Sequence, residues 1–481
     1  MTIMQKSADL ASGLFVLLAI SLPTAAAGED KLPAPWEERA ISAPLERGDY
    51  SGTLPREKLD ELTAIGERLF EARFTPLDGV GRPMATQAII PTKRRRETRL
   101  EFQRMAGMDA ASCASCHNDP VSGGAGDFVA NVFVSEGFSN ADFDSIDPQF
   151  SNERNTNHLF GAGLIELLAR EMTVELQTIR DNAARQARAK GETVTLPLEA
   201  KGVSFGSITV EADGMVDLSG LDGVDTDLVI RPFSQKGVMT SLRQFTVNAL
   251  NQHHGMEAIE RFGARWTGEV DFDEDGKGDE ISPGDVSAMV AWQATLEPPL
   301  AHTPDDEKWR AASAAGDTLF DMIGCSSCHI RALPLTSLEF ADPGPVDAAG
   351  TLRGDEDGDV AIYDLGLYDW ASRLERNDKG EVMVPLFGDL KRHRIADQKV
   401  AILGNELLAQ RFVDRDVFMT GELWGVADTA PYGHRGDITT LDEIIRAHGG
   451  EGSQSARAYE ALSESDRTAL IAFLKTLGID R

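Results

Sequence analysis

The chain has 481 residues, 42% of them hydrophobic and 26% charged, with a formal net charge of −31. That length suits two or three domains with a sizeable buried core, and the mix is that of a globular protein, not a disordered or fibrous one. So strong an acidity argues against nucleic acid as a partner, because phosphates would be repelled; it suits a basic or dipolar electron carrier, and it equally suits plain solubility.

Residues 1–27 read as a signal peptide. Lys6 stands ahead of the apolar run LASGLFVLLAISL, and Ala25-Ala26-Ala27 offers a small-residue cleavage site before Gly28. The run is short for a membrane span, so no stable span is expected after cleavage and the expected location is periplasmic. Asp9 in the leader keeps an uncleaved N-terminal anchor as the alternative. Residues 28–57, with Pro33, Pro35, Pro44 and Pro55, read as an irregular arm. KLDELTAIGERLFEARF then sets Leu59, Leu62, Leu69 and Phe70 at helical spacing. Residues 153–180 predict helix, 191–232 predict strands from their alternation and glycine turns, and 243–263 and 284–296 predict helix again. The phrase Gly66-x-x-Leu69-Phe70 recurs as Gly316-x-x-Leu319-Phe320. We read it as an internal repeat in which the glycine lets two helices approach closely. The last segment, SESDRTALIAFLKTL, predicts a helix with Leu470, Phe473, Leu474 and Leu477 on its apolar stripe, capped by Ser465 or Asp466.

All four cysteines fall in two CxxCH strings, Cys113-Ala-Ser-Cys116-His117 and Cys325-Ser-Ser-Cys328-His329. CxxCH is the attachment string of c-type haem: both thiols bond to the porphyrin's vinyl groups and the histidine becomes an axial iron ligand. The alternatives are a CxxC disulfide or half of a zinc site. A disulfide does not require histidine after each second cysteine, and a zinc site would gather both pairs in one small domain. Two covalently bound haem c groups are therefore expected. Lys93-Arg94-Arg95-Arg96, between the first helix and the first CxxCH, reads as a solvated loop or as a hold for haem propionates or a partner. The expected fold class is mainly α, with two cytochrome c-type haem domains and a large insert containing a small β element. The boundaries are 28–180 for the N-terminal haem domain, 181–300 for the insert and 301–481 for the C-terminal haem domain.

Asp271-Phe-Asp273-Glu-Asp275-Gly276 opens like an EF-hand loop, in which carboxylates at positions 1, 3 and 5 converge on a hard cation. Position 12 is Ser282 and not glutamate, so the bidentate ligand is missing or supplied by Glu280 or Asp285, with Asp279 a further candidate calcium ligand; the other reading is an empty acidic loop. Asp355-Glu-Asp357-Gly-Asp359 is a weaker run of the same kind.

Several longer phrases carry a family likeness. They include LFEARFTPLDGVGRP at 69–83, SCASCHNDPVSGGAGD at 112–127, HLFGAGLIE at 158–166, RPFSQKGVMTSLRQF at 231–245, AIYDLGLYDW at 361–370 and ELWGVADTAPYGHRGDITTLDEIIRAHGG at 422–450. With them the chain resembles the bacterial di-haem cytochrome c peroxidase superfamily, and most of all its di-haem oxidoreductase, putative peroxidase branch. In that superfamily a T-x-P-Y-x-H-[DN]-G phrase precedes a helix ending in the sixth ligand of the C-terminal haem. Here the phrase is Thr429-Ala-Pro-Tyr432-Gly-His434-Arg435-Gly436, with arginine at the Asp/Asn place, and His448 stands fourteen residues after His434. The resemblance implies a bis-histidine second haem, His329/His448, with His434 as a structural residue; His448 as a simple helix C-cap is the alternative.

The resemblance also implies that the N-terminal haem is the peroxide site, with a reachable sixth position and an acid/base group beside it. Glu171, in Glu171-Met172, is similar to the family's catalytic phrase but lacks the preceding proline. Glu166 and His158 are the other candidates, and each has a plain structural reading. His253-His254, His393, Met105 and Met108 are further residues to place, with His393 read as meeting a propionate. The expected function is reduction of hydrogen peroxide with electrons from a small carrier, a cytochrome c or cupredoxin. Two rivals stay open: a non-catalytic electron-transfer cytochrome, and a di-haem enzyme oxidising a protein or a small organic substrate.

Overall fold

The computed structural model describes residues 36–81, 83–86, 93–95, 103–104, 107–108, 112–131, 153–346, 351–354, 359–397, 403–404 and 412–479. The signal peptide, Met105, Arg96 and most of the 355–359 acidic run lie outside them. The helices are α1 (Arg56–Glu71), α2 (Ala162–Lys190), α3 (Leu242–Ala249), α4 (Ile259–Phe262), α5 (Ala264–Thr267), α6 (Pro283–Thr295), α7 (Glu307–Met322), α8 (Leu441–Arg446), α9 (Ser453–Ala461) and α10 (Glu464–Leu474). A single π-turn, Leu250–His254, continues α3.

Two helix crossings organise the fold. α1 packs on α6 and α7 packs on α10, and each crossing pivots on the repeated glycine. A Cβ on Gly66 would stand 1.9 Å from the Ala288 carbonyl oxygen, and one on Gly316 would stand 2.0 Å from that of Ala469. No larger residue fits without parting the helices. Gly316→Val is therefore expected to cost about 1–3 kcal/mol by overpacking against backbone. Denaturant unfolding checks it, with Thr318→Ala on the exposed face of α7 as a control expected within about 0.5 kcal/mol of wild type. α6 is thus the partner of α1, although it falls inside the 181–300 stretch assigned to the insert. α10 is capped two residues ahead of Ser465: Ser463 is the N-cap, its Oγ accepting from the Asp466 amide at 3.1 Å. Leu470, Phe473, Leu474 and Leu477 are buried as their spacing predicts.

The expectation of a mainly α fold is corrected: the protein is 39% helix and 16% strand. One source is the insert hairpin, Val194–Ala200 against Val203–Val210, with Val216–Asp217 at its edge. The hairpin's inner residues Leu198, Phe205 and Ile208 are fully buried, and its first strand packs on α2. The other source is a set of two- to six-residue pairings in the connections, too short for any periodicity to announce. Among them Gly52–Thr53 pairs in parallel with Ala361–Asp364, which pairs antiparallel with Glu339–Asp342. Arg243 is buried beneath this sheet. It forms ion pairs with Glu260 at 2.5 Å and Asp342 at 2.9 Å, and Tyr363 and Ser287 donate to Asp342 at 2.9 and 2.6 Å. A fully bonded buried network of this kind specifies one packing of α3, α6 and the sheet.

Candidate functional site

Each CxxCH forms a short 3₁₀ turn, Cys113–Ser115 and Cys325–Ser327, that brings its histidine back under the preceding helix crossing. The cysteines are not joined in disulfides. Beside the first string, Phe70 stands between His117, at 6.0 Å between ring centres, and Trp292 of α6, at 4.3 Å. Beside the second, Phe320 meets Phe387 at 6.1 Å and Phe473 of α10 at 5.4 Å. The repeated Leu-Phe pair thus does the same work twice, closing one edge of each site with aromatic rings.

At the second string, His329 donates from Nδ1 to the Phe387 carbonyl at 3.1 Å, and His448 donates from Nδ1 to the Ile444 carbonyl at 2.7 Å. With Nδ1 carrying the proton, each imidazole keeps the lone pair of Nε2 for a metal. Burial, and then the neighbouring imidazole, pulls His329 down to about 4; burial likewise lowers His448. Both rings are held neutral, as ligands must be. Their centres are 6.5 Å apart. Two imidazoles sharing one metal would stand roughly 6 Å apart, from about 2 Å per metal–nitrogen bond and about 1 Å from ring centre to nitrogen. The donor set and spacing fit a haem iron between them.

The loop after His448 is pinned from outside. Gly449 N donates to Ile395 O at 2.8 Å and Gly450 N to Asp397 Oδ2 at 2.8 Å. His393 bridges Asp389, through Nε2 at 2.8 Å, and Glu451, through Nδ1 at 2.7 Å. Burial opposes its charge, but the Asp389 carboxylate, with Cys328 and Glu451 behind it, outweighs that and pushes His393 up to about 11. Both of its ring nitrogens are therefore spent on carboxylates of the protein, not on a propionate. His434 is stacked on Phe418 at 4.6 Å. Its phrase also clasps the first half of the chain: Asn155 donates from N to His434 O at 2.9 Å and from Nδ2 to Pro431 O at 2.5 Å.

At the first string, His117 donates from Nδ1 to the Gly124 carbonyl at 3.3 Å, and burial pulls it down to about 4. The donor set again fits an axial haem ligand, with the Asn157 carbonyl as a second backbone neighbour of the ring. The surroundings differ from those of His329: among the described residues no imidazole faces His117 as His448 faces His329. His254, at the end of the π-turn and 2% exposed, brings Nε2 to 3.5 Å from Cys113 Sγ, with Phe74 edge-on to its ring at 5.8 Å. A π-turn adds a residue to a helix and re-aims the side chains beyond it; nothing in the composition of NQHHGM announces it. His158 sits near enough to His117 for its charge to be disfavoured by it, after burial, and is lowered to about 4. It donates from Nε2 to the Trp424 carbonyl at 3.0 Å. His158 Nδ1 and Trp424 Nε1 are buried with no partner among the described residues.

The two glutamates are otherwise occupied. Glu166 is fully buried; it accepts from the Leu242 amide at 2.7 Å and pairs with Arg170 at 2.5 Å. Glu171 pairs with Lys201 and accepts from the amides of Thr336 at 3.0 Å and Ser337 at 3.2 Å. Both tie α2 to its surroundings, and none of these partners belongs to the Cys113–His117 segment.

In the acidic loop, Asp271, Asp273 and Asp275 do converge, and Glu280 joins Asp273. Asp279 is exposed and outside these groups. Glu257, which the loop pattern could not include, completes the second cluster with Asp273 and Glu280. Burial, then repulsion by neighbouring carboxylates, pushes Asp273 up to about 9, and mainly burial pushes Glu257 up to about 8.

Comparison with known proteins bears on the C-terminal part. Residues 383–477 match the family described as di-haem oxidoreductase, putative peroxidase. The likeness to that family is shown for this stretch. The matched stretch holds His393, His434, His448 and α10, and neither CxxCH. Two relatives named cytochrome-c peroxidase IdrP2 are similar: one from Denitromonas iodatirespirans, 37% identical over 16% of this chain and 21% of its own length, and one from Pseudomonas sp. (strain SCT), 43% identical over 14% and 19%. The chain thus matches about a fifth of the length of those relatives. Among solved structures, Kuenenia stuttgartiensis hydrazine synthase pressurized with xenon aligns over 94% of this chain and 100% of its own at 12% identity and a TM-score of 0.35. A MauG-like protein associated with microbial copper homeostasis aligns over 56% and 78% at 15% identity and 0.28. Neither likeness is close enough to carry an argument. No helix among the described residues is long and apolar enough to cross a membrane.

Proposed function

We propose that this chain is a periplasmic di-haem c-type oxidoreductase of the peroxidase kind, reducing hydrogen peroxide with electrons from a small carrier such as a cytochrome c or cupredoxin. Cys113, Cys116 and His117 would hold one haem, and Cys325, Cys328, His329 and His448 would hold the other. The bound haems supply the electron storage and transfer. The reaction consumes peroxide, two electrons and two protons and yields two waters. The observation that carries this reading is the unequal setting of the two candidate ligands: His329 faces a second imidazole at 6.5 Å, whereas His158, the imidazole recorded near His117, has its Nε2 committed to the Trp424 carbonyl. A saturated iron suits electron intake, and a reachable one suits peroxide.

The work of the protein in this reading is positional and protonic. His448 and His329 stay neutral through burial and their Nδ1 hydrogen bonds. Phe70 and Trp292 close one side of the first site to water. Glu166 and Glu171, committed to cations and amides, position α2. Proton handling near Cys113 falls to His254, with His158 as the second candidate. The buried Trp424 Nε1 donor suits the carboxylate of a propionate, while His158, with its proton on Nε2, keeps an acceptor lone pair at Nδ1. An EPR spectrum of the oxidised protein tests the core claim: one high-spin and one low-spin haem are expected, and two low-spin haems would favour a simple electron relay. His254→Ala is expected to lower peroxide turnover by about 10²–10⁴-fold with haem content unchanged, as for loss of a general acid–base group.

A further inference from the structure

Outside both CxxCH strings, five carboxylates meet where the 271–280 loop touches the segment that follows the π-turn. Glu257, Asp273 and Glu280 are 5%, 0% and 5% exposed, and their oxygens lie within 4.8 Å of one another. Each is oriented by one oxygen. Glu280 Oε2 accepts from the Glu257 amide at 2.6 Å, Glu257 Oε2 from the Phe272 amide at 3.2 Å, and Asp273 Oδ1 from the Asp275 amide at 3.2 Å. The other oxygen of each, Glu257 Oε1, Asp273 Oδ2 and Glu280 Oε1, is buried with no hydrogen-bond partner among the described residues. Asp271 and Asp275 close on Asp273 from the solvent side. The nearby cation Lys93 is spent on Glu269 and Glu274 instead.

Carboxylate oxygens buried side by side and unbonded repel one another and are costly to desolvate unless something positive joins them. We infer that Glu257, Asp273 and Glu280, with Asp271 and Asp275, form a calcium site that rivets together the segments beside the first CxxCH. The chemistry is that of a hard cation taking six to eight oxygens in flexible geometry; magnesium, smaller and reluctant to shed water, suits an all-carboxylate cage less well. The site also accounts for the loop's departure from the EF-hand pattern. Ser282, at position 12, is occupied as the N-cap of α6. Glu257 and Glu280 supply the missing glutamate oxygens, one of them from outside the loop.

Three segments converge on this point. Glu257 lies three residues beyond His254, which approaches Cys113. Met84 N donates to Asp273 O at 2.9 Å. Gly79 lies so close that a Cβ there would be 2.4 Å from Glu280 Oε2. Bound calcium would hold all three. The binding itself is independent of the haem reading; its influence on the first haem rests on that reading.

The test uses the full-length, haem-loaded protein, freed of divalent ions by chelating resin and titrated with calcium chloride by calorimetry, with thermal melting in parallel. One calcium per chain is expected, at a Kd of about 10⁻⁶ M or tighter, with the melting temperature rising by several degrees, roughly 5 °C, and a smaller response to magnesium. Asp273→Asn and Glu257→Gln are expected to weaken binding at least ~100-fold and to flatten the melting response. Each removes one charge from a crowded cluster, so each is expected to melt no lower than wild type in the chelator. No heat and no melting shift for wild type at about 1 mM calcium, or equal binding by both variants, overturns the site. Calcium that binds yet leaves the EPR signal of the first haem unchanged on removal overturns the rivet while leaving the peroxidase reading untouched.

Discussion

Replacing His448 by alanine is expected to convert the second haem from low-spin to high-spin and to raise its reduction potential, because an imidazole ligand is lost from one face. Peroxide turnover with a reduced carrier should fall by more than the ~10–100-fold typical of losing an outer-shell partner, since a direct ligand is removed. Haem content should stay at two per chain: Cys325 and Cys328 are untouched, and His329 keeps its Phe387 hydrogen bond. EPR and a redox titration read the two effects separately from activity. A variant that stays low-spin would return His448 to the role of a helix cap. Glu451→Gln offers a graded companion. It weakens the His393 bridge behind the ligand loop without touching the ligand, so a smaller loss with the low-spin signal retained is the expected pattern.

The double substitution Cys113→Ser, Cys116→Ser is expected to leave one haem per chain by pyridine haemochrome and to abolish peroxide turnover. The low-spin His329/His448 signal should survive, because that site is built from α7, α10 and the 387–397 and 441–452 segments. The protein should also lose stability, since Phe70 and Trp292 would face a void where porphyrin had packed, at a cost of several kcal/mol by analogy with large core truncations. Two haems remaining would refute covalent attachment at the first string. One haem with full turnover would move the peroxide chemistry to the second site.

The candidate site was more legible in the sequence than the architecture. The CxxCH strings are read by spacing alone, and the repeated Gly-x-x-Leu-Phe phrase told which face of α1 and α7 meets a crossing helix, because backbone contact at Gly66 and Gly316 tolerates no side chain. His448 was named only through a resemblance; the Nδ1 hydrogen bond to Ile444 and the placement 6.5 Å from His329 that make it a candidate ligand have no sequence signal. Glu257 was invisible because it is 23 residues from Glu280 and sits in a stretch that reads as helix. His393 was misjudged for the same reason: its partner Glu451 is 58 residues away. The mainly α expectation failed because two- and three-residue strands such as Gly52–Thr53 and Leu333–Leu335 draw their stability from tertiary context and not from local pattern.

The pairing of Gly52–Thr53 with Ala361 and Ile362 joins segments about three hundred residues apart. Gly52 N reaches Val360 O at 2.8 Å and Leu54 N reaches Ile362 O at 3.0 Å. The segment leading into α1 thus waits for a strand made much later. Until that strand arrives, its amides stand as an open edge, the kind of surface that invites mispairing during synthesis and folding. The molecule is latched from its front end by its own second half, so completion of the fold is a late event governed by chain closure.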